Sequence, residues 1–123
     1  MARILVVDDD PDITFAVSLF LKREGHEVYG AASRAEGMKG LETFKPDLMI
    51  LDVMMEQPDD GIAMAQELRR MGNTLPIIML TSVGKVTGMS YGRDDELVPV
   101  EAFFEKPVRP EDLLKKVAEL LKQ

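Results

Sequence analysis

Leu48-Met49-Ile50-Leu51, entered through Pro46-Asp47 and closed by Asp52, is an apolar run with no polar break. A strand with one wet face alternates apolar and polar residues, so an unbroken run fits a parallel strand covered by helices on both faces. A chain holding such a strand must supply those helices and further parallel strands beside it. The sequence does so: β-type runs at 4–7, 27–31, 76–80 and 100–104 alternate with helix-like stretches. Asp10-Pro11 caps and opens a first helix that ends near Gly25, with Ile13, Ala16, Val17, Phe20 and Leu21 on one side. Ser33 and Glu36 stand at the offset of a capping box before a helix reaching about Thr43. A third helix covers about 61–71 and stops at Gly72-Asn73; a last one opens at Pro110 and carries Leu113, Leu114, Val117, Leu120 and Leu121. The prediction is an α/β fold with a doubly wound, five-stranded parallel sheet. Between 83 and 99 the pattern fades, and Gly84, Gly88 and Gly92 make a regular helix improbable, so an irregular or shortened helical region is expected there.

Composition narrows what such a domain can do. With 123 residues, 46% of them hydrophobic and 30% charged, the chain reads as one globular domain spanning 1–123. No apolar run approaches the ~20 residues of a membrane span, and Met1-Ala2-Arg3 leads into too few apolar residues for an export signal, so a cytoplasmic protein without membrane insertion is expected. There is no cysteine and only one histidine, His26, which removes thiolate chemistry and a histidine metal cage. His26 follows Gly25 at a helix exit and reads as a turn residue. The 22 acidic against 15 basic residues oppose direct nucleic-acid binding. Any chemistry falls to carboxylates, hydroxyls and lysines.

In doubly wound sheets, sites form outside the C-terminal ends of the strands. There the first strand delivers Asp8, Asp9 and Asp10, the third Asp52, the fourth Thr81 and Ser82, and the fifth Lys106. Clustered carboxylates oppose one another's ionisation unless a cation compensates, and Mg²⁺ characteristically takes one or two protein carboxylates and keeps waters. Mn²⁺ satisfies similar oxygen ligands. Asp10 and Asp12 read instead as residues that start the first helix.

These motifs together resemble the receiver domain of bacterial two-component response regulators over essentially the whole chain. ILVVDDDP is similar to the family's first strand and acidic pair, LMILDVMM to its phosphoacceptor segment, IIMLTS to its fourth strand with a switch hydroxyl, and FFEKP to its lysine-proline corner. The resemblance implies the flavodoxin-like (CheY-like) strand order 2-1-3-4-5. It implies a phosphoryl group accepted on Asp52 from a sensor histidine kinase or phosphotransfer protein. Mg²⁺ would be held by Asp8, Asp9, Asp52 and the backbone carbonyl of Met54, while Lys106 and Thr81 engage the phosphoryl oxygens. Thr81 and Phe103 would form the switch toward an unknown effector protein, with Phe103 as a permanently buried ring the alternative, and the Lys106–Pro107 bond would be cis.

Three departures from the family pattern carry expectations of their own. Glu56 stands where a proline is usual, and Pro58 and Gly61 follow late, as though one residue were inserted. Apolar Met54 and Val83 flank the site and cannot orient an attacking water, which predicts slow self-dephosphorylation. The unusual 83–99 segment places the standard dimer in doubt, leaving a monomer or a weak non-standard dimer, with Met89 and Tyr91 as partner anchors or packed on their own domain. Phe15 and Leu19 face the side where kinases dock in the family, or pack peripherally. The expected function is signal reception rather than turnover enzymology, with no output domain in this chain. The alternatives are a small Mg²⁺-dependent aspartyl-phosphate phosphohydrolase, which would want an acid–base residue where Met54 stands, and a degenerate receiver that is never phosphorylated.

Overall fold

The computed structural model describes residues 2–53, 60–82, 100–106 and 108–121, with the side chains of 60, 82 and 106 excepted. Among these, strands and helices alternate as β1 (Arg3–Val7), α1 (Pro11–Arg23), β2 (Glu27–Ala31), α2 (Arg34–Thr43), β3 (Leu48–Asp52), α3 (Asp60–Arg70) and β4 (Ile77–Ser82). β5 (Ala102–Lys106) and α4 (Pro110–Leu121) complete the series. The strands form one parallel sheet in the order β2-β1-β3-β4-β5. β3 lies at its centre and is buried at every position, as its unbroken apolar run requires.

Alternation along each inner strand feeds two cores. Leu5, Val7, Met49, Leu51, Ile77 and Met79 face Met64, Ala65 and Leu68 of α3. Ile4, Val6, Leu48, Ile50, Ile78 and Leu80 face Val17 and Leu21 of α1 and Leu113 and Val117 of α4. Each fully buried Leu or Val contributes about 1.5–3 kcal/mol, which explains why α1 is held by Val17 and Leu21 while its opposite face stays wet. α2 approaches the sheet through two glycines: an added Cβ at Gly37 would meet Val7 Cγ2 at 3.0 Å and one at Gly40 would meet Leu5 Cδ1 at 3.1 Å.

The helix starts follow the sequence chemistry. Asp10 is the N-cap of α1, its carboxylate accepting from Asp12 N–H at 2.9 Å, and Pro11 occupies the first turn. Ser33 Oγ caps α2 by accepting from Glu36 N–H at 3.2 Å. The expected box is altered on its return side, because Glu36 Oε1 accepts from Ala32 N–H at 3.1 Å, one residue before the cap. β5 also differs, starting two residues later than expected: Val100 packs on the core as a residue preceding the strand, and hydrogen bonding with β4 extends to Lys106.

Candidate functional site: a carboxylate cluster at the C-terminal strand ends

β1 and β3 pair in register through Val7 and Leu51, so the residues that follow, Asp8 and Asp52, emerge side by side. Asp8 is 2% and Asp52 4% exposed, while Asp9 lies in solvent. One carboxylate oxygen from each of Asp8, Asp9 and Asp52 falls within 4.8 Å of the others. Local hydrogen bonds hold Asp8 in place: its Oδ1 accepts from Asp10 N–H at 2.9 Å and its own N–H donates to Ala31 O at 3.0 Å. The same turn that caps α1 thus aims the carboxylate of Asp8.

Three oxygen donors from carboxylates, two of them buried, suit a hard divalent ion rather than a soft one, and the spacing is one that an ion retaining several waters can span. The cluster can therefore chelate Mg²⁺.

Thr81, at the end of β4, is 2% exposed, and its Oγ1 has no hydrogen-bond partner among the described residues. A buried hydroxyl without an acceptor costs about 1–3 kcal/mol, and an incoming anionic oxygen would relieve that cost. β5 ends at Lys106, which pairs with Ser82 in the β4–β5 register and so arrives at the same rim. Phe103 and Phe104 face opposite layers, Phe103 packing against the α3 side and Phe104 against the α1–α4 side.

The structure thus brings Asp8, Asp9, Asp52, Thr81 and the end of β5 to one edge, while Asp10 and Asp12 belong to the helix start. The carbonyl of Met54, the loop with Glu56 and Pro58, Val83, the 83–99 segment with Met89 and Tyr91, the Lys106 side chain and the Lys106–Pro107 bond lie outside the described residues.

One contact was invisible in the sequence. Gly61 N–H donates to Val53 O at 2.8 Å, and a Cβ on Gly61 would collide with Asp52 O and lie 2.8 Å from Val53 Cα. The first turn of α3 is therefore pressed against the backbone that carries Asp52. The sequence shows Gly61 as a late glycine, but nothing in it gives the distance.

Beside the cluster a groove of 470 Å³ runs past Asp8, Asp9, Thr14 and Phe15, floored by Gly30. Gly30 keeps it open, since a Cβ there would meet Thr14 Cγ2 at 2.8 Å. Phe15 is 71% and Leu19 41% exposed, so the peripheral packing weighed for Phe15 is not what the fold provides. A larger cleft of 570 Å³ opens at the opposite rim, by Glu24, His26 and Leu121, well away from the three carboxylates.

The family model for the response regulator receiver domain matches residues 4–118. The alkaline phosphatase synthesis transcriptional regulatory protein PhoP of Bacillus subtilis is 36% identical over 98% of this chain and 49% of its own length. The DNA-binding dual master transcriptional regulator RpaA of Synechocystis is likewise 36% identical, over 100% of this chain and 50% of its own. The chain spans about half the length of these relatives. Among solved structures, a CheY-like receiver domain protein from Methanospirillum hungatei superposes with a TM-score of 0.82 at 29% identity, covering 99% of this chain and 94% of that one. A response regulator from Chloroflexus aurantiacus gives 0.83 at 28%, covering 99% and 98%.

Proposed function

The chain belongs to the response regulator receiver family, and from that premise we propose that Asp52 is the residue that accepts the phosphoryl group, from a sensor histidine kinase or a phosphotransfer protein. The function is phosphorylation-dependent signal reception, a regulatory role in keeping with relatives named as regulators. The observation that carries the assignment of Asp52 is its burial at the end of the central strand, with a carboxylate oxygen within 4.8 Å of those of Asp8 and Asp9.

A carboxylate attacks phosphorus poorly while negative charge accumulates on the equatorial oxygens, so the site must supply positive charge and donors aimed at them. Asp8, Asp9 and Asp52, with the backbone carbonyl of Met54 as the family resemblance implies, would hold Mg²⁺, which would neutralise part of that charge when bound. Asp52 Oδ forms the new bond to phosphorus as the bond to the donor nitrogen breaks, and the electron pair of that bond leaves with the donor. Lys106 offers its ammonium to one phosphoryl oxygen. Thr81, whose hydroxyl is buried without a partner among the described residues, donates to another and moves inward to do so. That movement opens space into which Phe103 can turn, and the change in β5 is read by an effector protein. The groove ending at Phe15 gives the phosphodonor protein an apolar foothold next to the acidic cluster. No helix among the described residues is long and apolar enough to cross a membrane.

Intact mass after incubation with a small phosphodonor and Mg²⁺ tests this reading. The wild type gains one phosphoryl group, and the Asp52→Ala variant gains none. A gain that persists in Asp52→Ala, or none in the wild type, removes Asp52 from the role.

A further inference from the structure

The geometry points to Glu101 and Arg69 as positioning residues for Lys106, acting from the opposite end of β5. This rests on the role proposed above for Lys106 and adds what sets its place.

Among the described residues, β5 is an edge strand whose only sheet neighbour is β4. Strand register is normally fixed by which face is apolar, since a slip of one residue turns every side chain to the other layer. In β5 the face signal is reduced, because the adjacent residues Phe103 and Phe104 pack on opposite layers. A slip that sets Glu105 opposite Ser82 would put Phe103 in the place of Phe104 and Ala102 in the place of Phe103. It would also move the strand end by about 3.3 Å and leave a carboxylate, in place of Lys106, where the phosphoryl group needs a cation.

Glu101 adds a polar register signal. Its N–H donates to Ile77 O at 3.0 Å, and its Oε1 accepts from Ile77 N–H at 2.7 Å, so the residue just before β5 captures both backbone groups of the first residue of β4. Arg69 fixes that carboxylate, with Nη2 donating to Oε1 at 3.0 Å and to Oε2 at 3.3 Å. Its Nη1 donates to Asn73 O at 3.1 Å and Leu75 O at 2.7 Å, tying the clamp to the loop that feeds β4. A shifted strand would break the Ile77 contacts and leave Arg69 facing the wrong residue. A charged pair thus reinforces the register of a strand whose two core residues are adjacent phenylalanines.

The test uses the whole chain with Glu101→Ala, Arg69→Met and Glu101→Gln, the last retaining an oxygen for Ile77 N–H. Register is read by cross-strand nuclear Overhauser contacts between Ile78 and Ala102, and function by the rate of phosphoryl gain against Mg²⁺ concentration. In Glu101→Ala these contacts weaken or split, the maximal rate falls about tenfold, and half-saturation by Mg²⁺ stays within about twofold of wild type because the metal ligands are untouched. Arg69→Met gives a smaller loss of the same kind, and Glu101→Gln recovers most of the rate. A plain loss of stability would not give this split between rate and Mg²⁺ response. Unchanged Ile78–Ala102 contacts in Glu101→Ala overturn the clamp, and altered contacts with an unchanged rate overturn its positioning role. If the wild type takes up no phosphoryl group, the assignment of Asp52 fails instead and the contacts alone decide the clamp.

Discussion

At the C-terminal rim of the sheet, Asp8, Asp9 and Asp52 crowd carboxylate oxygens within 4.8 Å, and Thr81 buries a hydroxyl with no partner among the described residues. The N-terminal rim uses the same residue types differently. Asp47 Oδ2 accepts from Arg3 N–H at 3.0 Å, Arg3 Nη1 donates to Phe44 O at 3.0 Å, and the Arg3 guanidinium lies 5.6 Å from the centre of the Phe44 ring. Glu101 is matched by Arg69 and by Ile77 N–H, and His26 Nδ1 accepts from Ala2 N–H at 3.2 Å. Acidic groups at one rim are matched by donors within the fold; at the other, three carboxylates converge closely enough to hold a divalent cation. Stability is concentrated where polar groups are matched, and reactivity where like charges converge.

The largest expected effect tests whether the reactive rim tolerates any slack. Gly61→Ala would drive a Cβ into the backbone of Asp52 and Val53, so α3 or β3 must move. Urea denaturation should show a loss of about 3 kcal/mol, accompanied by loss of phosphoryl uptake. A wild-type midpoint would mean that this junction relaxes freely.

Next in size is the contrast between carboxylates at the two rims. Asp9→Asn should weaken Mg²⁺ binding about tenfold by calorimetry, because it removes one of three charged donors. In chelator the same variant should melt slightly higher than wild type, since a like charge has gone from the cluster. Asp12→Ala, at the helix start, should leave Mg²⁺ binding unchanged. Asp47→Ala at the other rim should do the reverse of Asp9→Asn, losing about 1 kcal/mol with Mg²⁺ binding intact. Stabilisation by Asp47→Ala, or destabilisation by Asp9→Asn in chelator, would break the comparison.

The smallest effect belongs to His26. Burial holds its pKa below the ordinary value of 6.5, the N-terminal ammonium adds to that lowering, and Glu24 opposes it. The unfolded chain therefore takes up this proton at higher pH than the folded chain. The contribution to stability is complete above about 6.5 and is lost as pH falls through that value toward the lower folded pKa. Thermal midpoints measured on either side of about pH 6.5 should drop less in His26→Gln than in wild type. Equal drops would show that His26 titrates alike in both states.

Much of the reactive rim was legible from local chemistry. Asp8, Asp52 and Thr81 each end an apolar run, and in a doubly wound sheet the ends of strands converge. The cap at Asp10 was equally readable, since Asp before Pro specifies a helix start. Features that depend on meetings across the fold were less readable. Val100 extended the apolar pattern before β5 and drew the expected strand two residues early, although it packs on the core without joining the strand. Glu36 had the right offset for a capping box, yet its side chain reached Ala32 instead of the cap residue.

The five-stranded α/β architecture and the identity of the carboxylates are encoded locally, because strand burial and helix starts are written in short-range patterns. How tightly Gly61 abuts Asp52, and that Arg69 meets Glu101, 32 residues away, at Ile77, follow from the folded arrangement alone. Such contacts arise from packing separate elements against one sheet, and local periodicity encodes which faces meet but not the distances at which they close.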